Sequence, residues 1–159
     1  MERFTRREAI VLARTSAGRL AYLARTGIVV PQRIQTAQRV RLVYSWEQIL
    51  ELRAINHLRR QVSLQTIRQV MAFLEKGGFE GSLRDKNLII ANGEVDWVRA
   101  DCPQAPQILQ VAGGAKHHVG QLKLLTLPAL GALIEEVWAT ARHSNVIDFE
   151  SFRQRARSR

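Results

Sequence analysis

Apolar positions along the chain recur at two spacings, and the change from one to the other divides it. Up to residue 78 the spacing is three to four, broken once; beyond it, as far as residue 127, the spacing is two, and from Pro128 it returns to three to four. The first segment opens at Thr5-Arg6-Arg7-Glu8, a capping box in which the Thr hydroxyl accepts from the amide three residues on and the Glu reaches back. Its helix is predicted to run to about Ala13, with Arg14-Thr15 as the break. Ser16 is a good N-cap for a second helix over about 17–26, and Gly27 stands where a left-handed residue ends a helix without a Cβ penalty. Two short helices across a tight turn predict a helix-turn-helix. Residues 28–44, IVVPQRIQTAQRVRLVY, hold two β-branched runs around a polar middle and predict a hairpin, with Pro31 confining the first run to a sheet edge.

Ser45 and Gln48 form a second capping box, stapled by Tyr44 and Ile49. Trp46, Ile49, Leu50, Ala54 and Leu58 then fall on one helical face. Ser63 caps a fourth helix carrying Leu64, Ile67, Met71 and Leu74, closed by Gly77-Gly78. These stripes read as core. In NLIIANGEVDWV, residues 87–98, two β runs flank Asn92-Gly93, the pair that a two-residue type I′ hairpin requires. A Pro-containing loop (Cys102 to Pro106) follows. QILQVA and QLKLLTL read as further strands separated by Gly113-Gly114. Pro128 begins a last helix with Leu130, Leu133, Ile134, Val137, Trp138 and Ala141 on one side, and FRQRARSR reads as a basic tail. No internal repeat is present.

Composition changes the picture mainly through charge. The net charge is +10, and it is unevenly placed. Residues 1–46 carry nine arginines against Glu2 and Glu8, with no acid between Glu8 and Glu47. Residues 153–159 add four arginines, while 47–152 is close to neutral. A basic module on a neutral body is the asymmetry of a polyanion binder. The alternative is a solvated basic face kept for solubility. A single cysteine, Cys102, excludes an intrachain disulfide and a Cys-rich metal site. The N-terminus has no apolar run of a secretory signal, and the longest uncharged apolar run, residues 124–134, is far short of the roughly 20 residues of a membrane span. A soluble, cytoplasmic, nucleoid-associated protein is expected.

Residues 4–74 resemble the DNA-binding domain of the MerR family of bacterial transcription regulators. That family's pattern runs Ser-x-x-Thr-Leu-Arg-Tyr-Tyr-Glu-x-x-Gly-Leu-Leu-x-Pro; here the stretch is SAGRLAYLARTGIVVP. Ser16, Leu20, Tyr22, Gly27 and Pro31 match, and Ile28 and Val29 are conservative replacements. RLVYSWEQILELRAINHLRRQVSLQTIRQVM then resembles the family's Arg-x-Tyr-Ser start, its Leu-Arg helix and its Ser-Leu-x-x-Ile helix. The chain departs at Ala21 and Leu23, where the family has an Arg and a Tyr that commonly contact phosphate, and at Gln61, where glycine is frequent. A β-rich segment stands where the family's long dimerisation helix would follow, and Cys102 lacks the partners of a thiolate metal sensor. A MerR-like half joined to a compact β-containing module also resembles certain antitoxins of toxin–antitoxin systems.

The resemblance implies double-stranded DNA as ligand. A helix-turn-helix sets a short helix in the major groove, about 12 Å wide, with side chains facing base edges. Arg14, Thr15, Ser16, Arg19, Tyr22 and Arg25 are the candidate contacts on the turn and second helix, with Thr15 and Arg19 placed for base reading. Arg33, Arg39 and Arg41 are candidates on the wing. Ala17 and Gly18 permit close approach, and Arg is suited to bidentate contact with guanine or phosphate. Tyr22 reads equally as a phosphate donor or as half-buried core. Other chemistry is thin. Glu94 and Asp96 share a strand face with no histidine near in sequence, and read as a solvated face. His117 and His118 would point to opposite sides of a strand, a poor metal geometry. No cofactor, metal site or catalytic constellation is expected, and an enzyme is not.

The expected fold is α+β: a MerR-like winged helix-turn-helix over residues 1–76, an α+β dimerisation or partner-binding module over 79–152, and a basic tail over 153–159. The expected function is a sequence-specific, repressor-like dimeric transcription regulator. The rival is an antitoxin that neutralises a toxin through its C-terminal module and autoregulates its operon, with the edge strand at 87–91 and the basic tail as candidate contacts.

Overall fold

The computed structural model describes residues 3–91, 93–99, 107–112 and 124–156. Element order is β1 (Phe4–Thr5), α1 (Arg6–Leu12), α2 (Ala17–Arg25), β2 (Gln32–Gln35), β3 (Val40–Tyr44), α3 (Trp46–Arg59), α4 (Leu64–Lys76), β4 (Leu88–Ala91), β5 (Glu94–Arg99), β6 (Gln107–Ala112), β7 (Leu124–Thr126), α5 (Leu130–Arg142) and α6 (Phe149–Arg155). The fold is α+β, with one three-stranded and one four-stranded antiparallel sheet. Contacts divide the chain into two compact units, Met1–Asn56 with Gly131–Arg159, and His57–Leu130.

In the first unit the expected caps are in place. Thr5 and Glu8 form the full capping box of α1, Ser16 caps α2 by accepting from the Arg19 amide, and Ser45 and Gln48 close reciprocally at the start of α3. The α1 and α2 ends share one hydrogen-bond pattern. Thr15 N–H donates to the Ile10 carbonyl and Arg14 N–H to Val11; Ile28 N–H donates to Leu23 and Gly27 N–H to Ala24. This is the Schellman ending, whose residue just past the cap is left-handed. Gly27 takes that role at φ 75°, and Arg14 takes it at φ 50°.

The hairpin forms later than its β-branched runs suggest. Ile28 and Val29 are tied to the end of α2, since both amides donate to the Leu23 carbonyl, so the strand starts at Gln32, after Pro31. Strand order β1-β3-β2 leaves β2 at an edge. β1 is an addition that the sequence pattern does not announce: Phe4 pairs with Tyr44 and makes the wing a three-stranded sheet.

The largely aliphatic core of this unit holds an aromatic cluster that joins residues from near both ends of the chain. Phe4, Trp46 and Phe152 meet pairwise at 5.9–6.1 Å between ring centroids, and Trp138 packs edge-on against Phe149 and Phe152. Residues 152–156, read from the sequence as the start of a tail, are helix and C-cap: Asp148 caps α6 by accepting from the Ser151 amide, and Phe152 is fully buried.

In the second unit α4 is capped by Ser63 and ends in the same Schellman pattern, with Gly78 left-handed at φ 71°. The sheet order is β6-β5-β4-β7, and α4 packs on β6. Ala91 stands opposite Glu94, which leaves a two-residue connection; Gly93 has φ 80° there, and Asn92 lies outside the described residues. β4, read as an edge strand, is interior, paired with β5 on one side and β7 on the other. Leu88, Ile90, Val95 and Trp97 are buried, and Phe79 meets Trp97 edge-on at 5.0 Å with the Arg99 guanidinium over both rings. Cys102, Pro106, Gly113-Gly114 and the His117-His118 pair lie outside the described residues.

Candidate nucleic-acid interface

Helix α2 has two faces because its apolar residues sit at one side of a nine-residue helix. Leu20 and Leu23 are buried, while Ser16, Ala17, Gly18, Ala21 and Arg25 are exposed. A Cβ added at Gly18 would meet nothing within 4 Å, so the exposed side is shallow as well as open. Arg14 stands exposed in the turn before this face and Arg25 at its far end. No acid lies on the chain between them.

The two residues expected to read bases, Thr15 and Arg19, are both half-buried. The Thr15 hydroxyl is buried and has no hydrogen-bond partner, while its amide closes the turn. Arg19 has a guanidinium nitrogen 3.5 Å from the Asn56 side-chain oxygen on α3, a long contact. The Ser16 hydroxyl is occupied as the cap. Tyr22 is half-buried, with the Arg25 guanidinium 5.7 Å from its ring centroid. Open positions are therefore those of small residues and of Arg14 and Arg25. Sequence spacing identifies a helix start but not which side chains fold back onto α3.

On the wing Arg33, Arg39 and Arg41 are all exposed. Register puts Arg33 opposite Leu42 and Arg41 opposite Ile34, so these two arginines leave opposite faces of the hairpin. Thr36 holds the tip closed through its hydroxyl to the Arg39 carbonyl at 2.8 Å. Val30 and Val40 are the exposed apolar residues nearby.

Behind this surface, α1 is fixed by charged groups. Arg6 donates to the Ala17 carbonyl in the first turn of α2 at 3.2 Å. Glu8 accepts from the Thr5 amide and hydroxyl and from Arg155 Nη2 at 2.6 Å. Burial alone would push the Glu8 carboxyl up; the Arg155 hydrogen bond and the two Thr5 donors outweigh it and hold the group below its ordinary range. Arg53, 3% exposed, pairs with Glu136 at 2.9 Å and donates to the Leu12 carbonyl.

Among the described residues no three His, Cys, Asp or Glu side chains are grouped to hold a metal, and no helix is long and apolar enough to cross a membrane. Residues 4–74 match the profile of the MerR HTH family regulatory protein. No curated protein matches the chain.

Proposed function

We propose, from a chain whose residues 4–74 are a MerR-like helix-turn-helix, a double-stranded DNA-binding transcription regulator. It acts as a dimer on a two-fold site, in the manner of a repressor. One observation carries the reading: the outward face of α2 is shallow, acid-free and bracketed by exposed Arg14 and Arg25. Such a face can lie close to a groove floor while guanidinium groups at both ends meet phosphate. Arg33 and Arg41, leaving opposite faces of the wing, suit a hairpin lying between two phosphate rows. Base reading then falls to the open positions 17, 18 and 21 and to Arg25, and Thr15 and Arg19 support the fold of the turn.

Dimerisation is proposed through β6, which ends the four-stranded sheet among the described residues. β6 carries no charge and no proline, and Ile108 on it is 68% exposed. Uncharged open edges invite another strand, and antiparallel pairing with a second copy meets no like-charge repulsion. The same edge supports the rival reading of an antitoxin, with a toxin strand in place of the second copy.

The test is fluorescence anisotropy on a duplex from upstream of the coding sequence, across a salt series. A dimer neutralising about eight phosphates gives a log–log slope of about −7. Arg14→Ala and Arg25→Ala each remove one contact from both copies, so each should weaken binding and flatten the dimer's slope by about 2. An unchanged slope in both variants would remove the interface from α2. Sedimentation of Ile108→Lys against the parent decides the dimer edge: a dimer that persists in the variant excludes β6.

A further inference from the structure

Chain ends separated by almost the whole sequence meet at α1. At its N-terminus Arg155, on α6, donates to the Glu8 carboxylate at 2.6 Å and to the Arg3 carbonyl at 2.9 Å, and its guanidinium stacks over the Phe4 ring at 4.7 Å. At its C-terminus the Leu12 carbonyl accepts from Arg53 of α3, and Arg53 is held in turn by Glu136 of α5 at 2.9 Å. The orphan amides at the α1 N-terminus are capped by Thr5, and Arg155 holds the Glu8 side of that capping box; at the other end the carbonyl's donor, Arg53, is itself held from α5. α1 then sets α2 through Arg6 on the Ala17 carbonyl and through the left-handed turn at Arg14.

We propose that α5 and α6 are working parts of the DNA-binding unit, with Arg155 and Glu136 as positioning residues that set the angle at which α2 is presented. The inference rests on the DNA-binding reading. It assigns to residues 131–156, beyond the 4–74 segment, a part in affinity exerted through α1 and α2. Arg155 acts at a helix N-cap, where a bidentate fork reaches a carboxylate and a carbonyl together, which an ammonium group cannot do with one geometry. Glu136 acts as the counterion of a guanidinium with almost no solvent, fixing where Arg53 can reach.

The test uses the full chain with Glu136→Gln, Arg155→Met and Arg155→Lys. Each is titrated by anisotropy against the upstream duplex at a temperature where circular dichroism shows it fully folded. Arg155→Met keeps the packing over Phe4 and removes the donors; since it lies in the last helix, it tests the idea even where Glu136→Gln does not fold. The expected result is an affinity about tenfold weaker with a salt slope shallower by 1 to 2, roughly the loss of one or two phosphate contacts, and partial recovery in Arg155→Lys. Lower melting temperatures with the parent's affinity and slope would overturn the proposal and leave these residues as stabilisers only. A parent chain that binds no duplex would instead remove the DNA-binding reading itself, which is a separate result.

Discussion

Glu8 and Asp96 are both half-buried carboxylates, and the two units push them in opposite directions. Burial raises each. Around Glu8 that effect is outweighed by Arg155 and by two donors from Thr5, and the carboxyl is lowered. Around Asp96 burial is joined by repulsion from Glu94, two residues along the same strand face, so the carboxyl is raised. The contrast extends to the ion pairs. In the first unit Arg53–Glu136 and Arg155–Glu8 link segments far apart in sequence, beside a local Arg153–Glu150 pair, whereas in the second, among the described residues, Arg84–Glu80 and Lys86–Asp85 link near neighbours. Long-range pairs fix the position of helices; local ones, even with a covered cation such as Lys86, tie a chain segment to itself. Charge in the first unit is thus part of how α1 and α2 are held, while in the second Asp96 is a charge that burial and Glu94 disfavour.

The largest expected effect tests the long-range pair. Glu136→Ala leaves Arg53 charged, 3% exposed and without that counterion, so stability should fall by about 3 kcal/mol. Arg53→Met removes the buried charge itself and fills similar volume, leaving Glu136, whose side chain is one-third exposed, to be solvated. It should cost less, and the double variant should recover most of what Glu136→Ala loses. Urea unfolding of the three variants checks this. A loss as small as that for an exposed pair, below about 1 kcal/mol, would erase the difference between the units.

Much of the first unit was legible in the sequence because its signals are local. The capping boxes at Thr5/Glu8 and Ser45/Gln48, the Ser16 and Ser63 caps and Gly27 each work over three or four residues, and each is found where the pattern puts it. What was not legible depends on distant partners. The two residues of β1 exist because Phe4 pairs with Tyr44. β4 became interior through β7, more than thirty residues on, which no strand pattern reveals. Arg19 lies 3.5 Å from Asn56, far along the chain, and the Thr15 hydroxyl is buried without a partner. α6 was within reach: Asp148, Glu150 and the Phe149/Phe152 spacing are helix-start signals, masked by the arginine-rich composition that follows.

An intermediate effect is expected where the helix ends differ. α2 and α4 end on left-handed Gly27 and Gly78, while α1 ends on left-handed Arg14. A non-glycine residue there costs about 1–2 kcal/mol, offset in part by the lower chain entropy of an unfolded arginine relative to glycine. Arg14→Gly should therefore stabilise the protein by about 0.5–1 kcal/mol, read as a higher melting temperature, while duplex affinity falls. An arginine kept at a strained, exposed position at the edge of the open α2 face is consistent with selection for its charge. Gain of stability with unchanged affinity would leave the strain without that explanation.

The smallest effect lies in the second unit and has a definite pH window. A carboxyl raised in the folded state disfavours folding wherever it is ionised, so Asp96 should destabilise above its raised value and cease to as pH falls through it. Asp96→Asn should raise the melting temperature at neutral pH by a small margin, no more than about 1 kcal/mol given its partial exposure, and the advantage should vanish in acid. Glu8 runs the other way. Its stabilisation is present above the ordinary carboxylate range and is lost as pH falls through its lowered native value, so Glu8→Gln should cost stability at neutral pH and little in acid. Melting curves of both variants from pH 7 downward should therefore converge on the parent from opposite sides. Convergence from the same side would mean that solvent, rather than the neighbouring charges, governs both carboxylates.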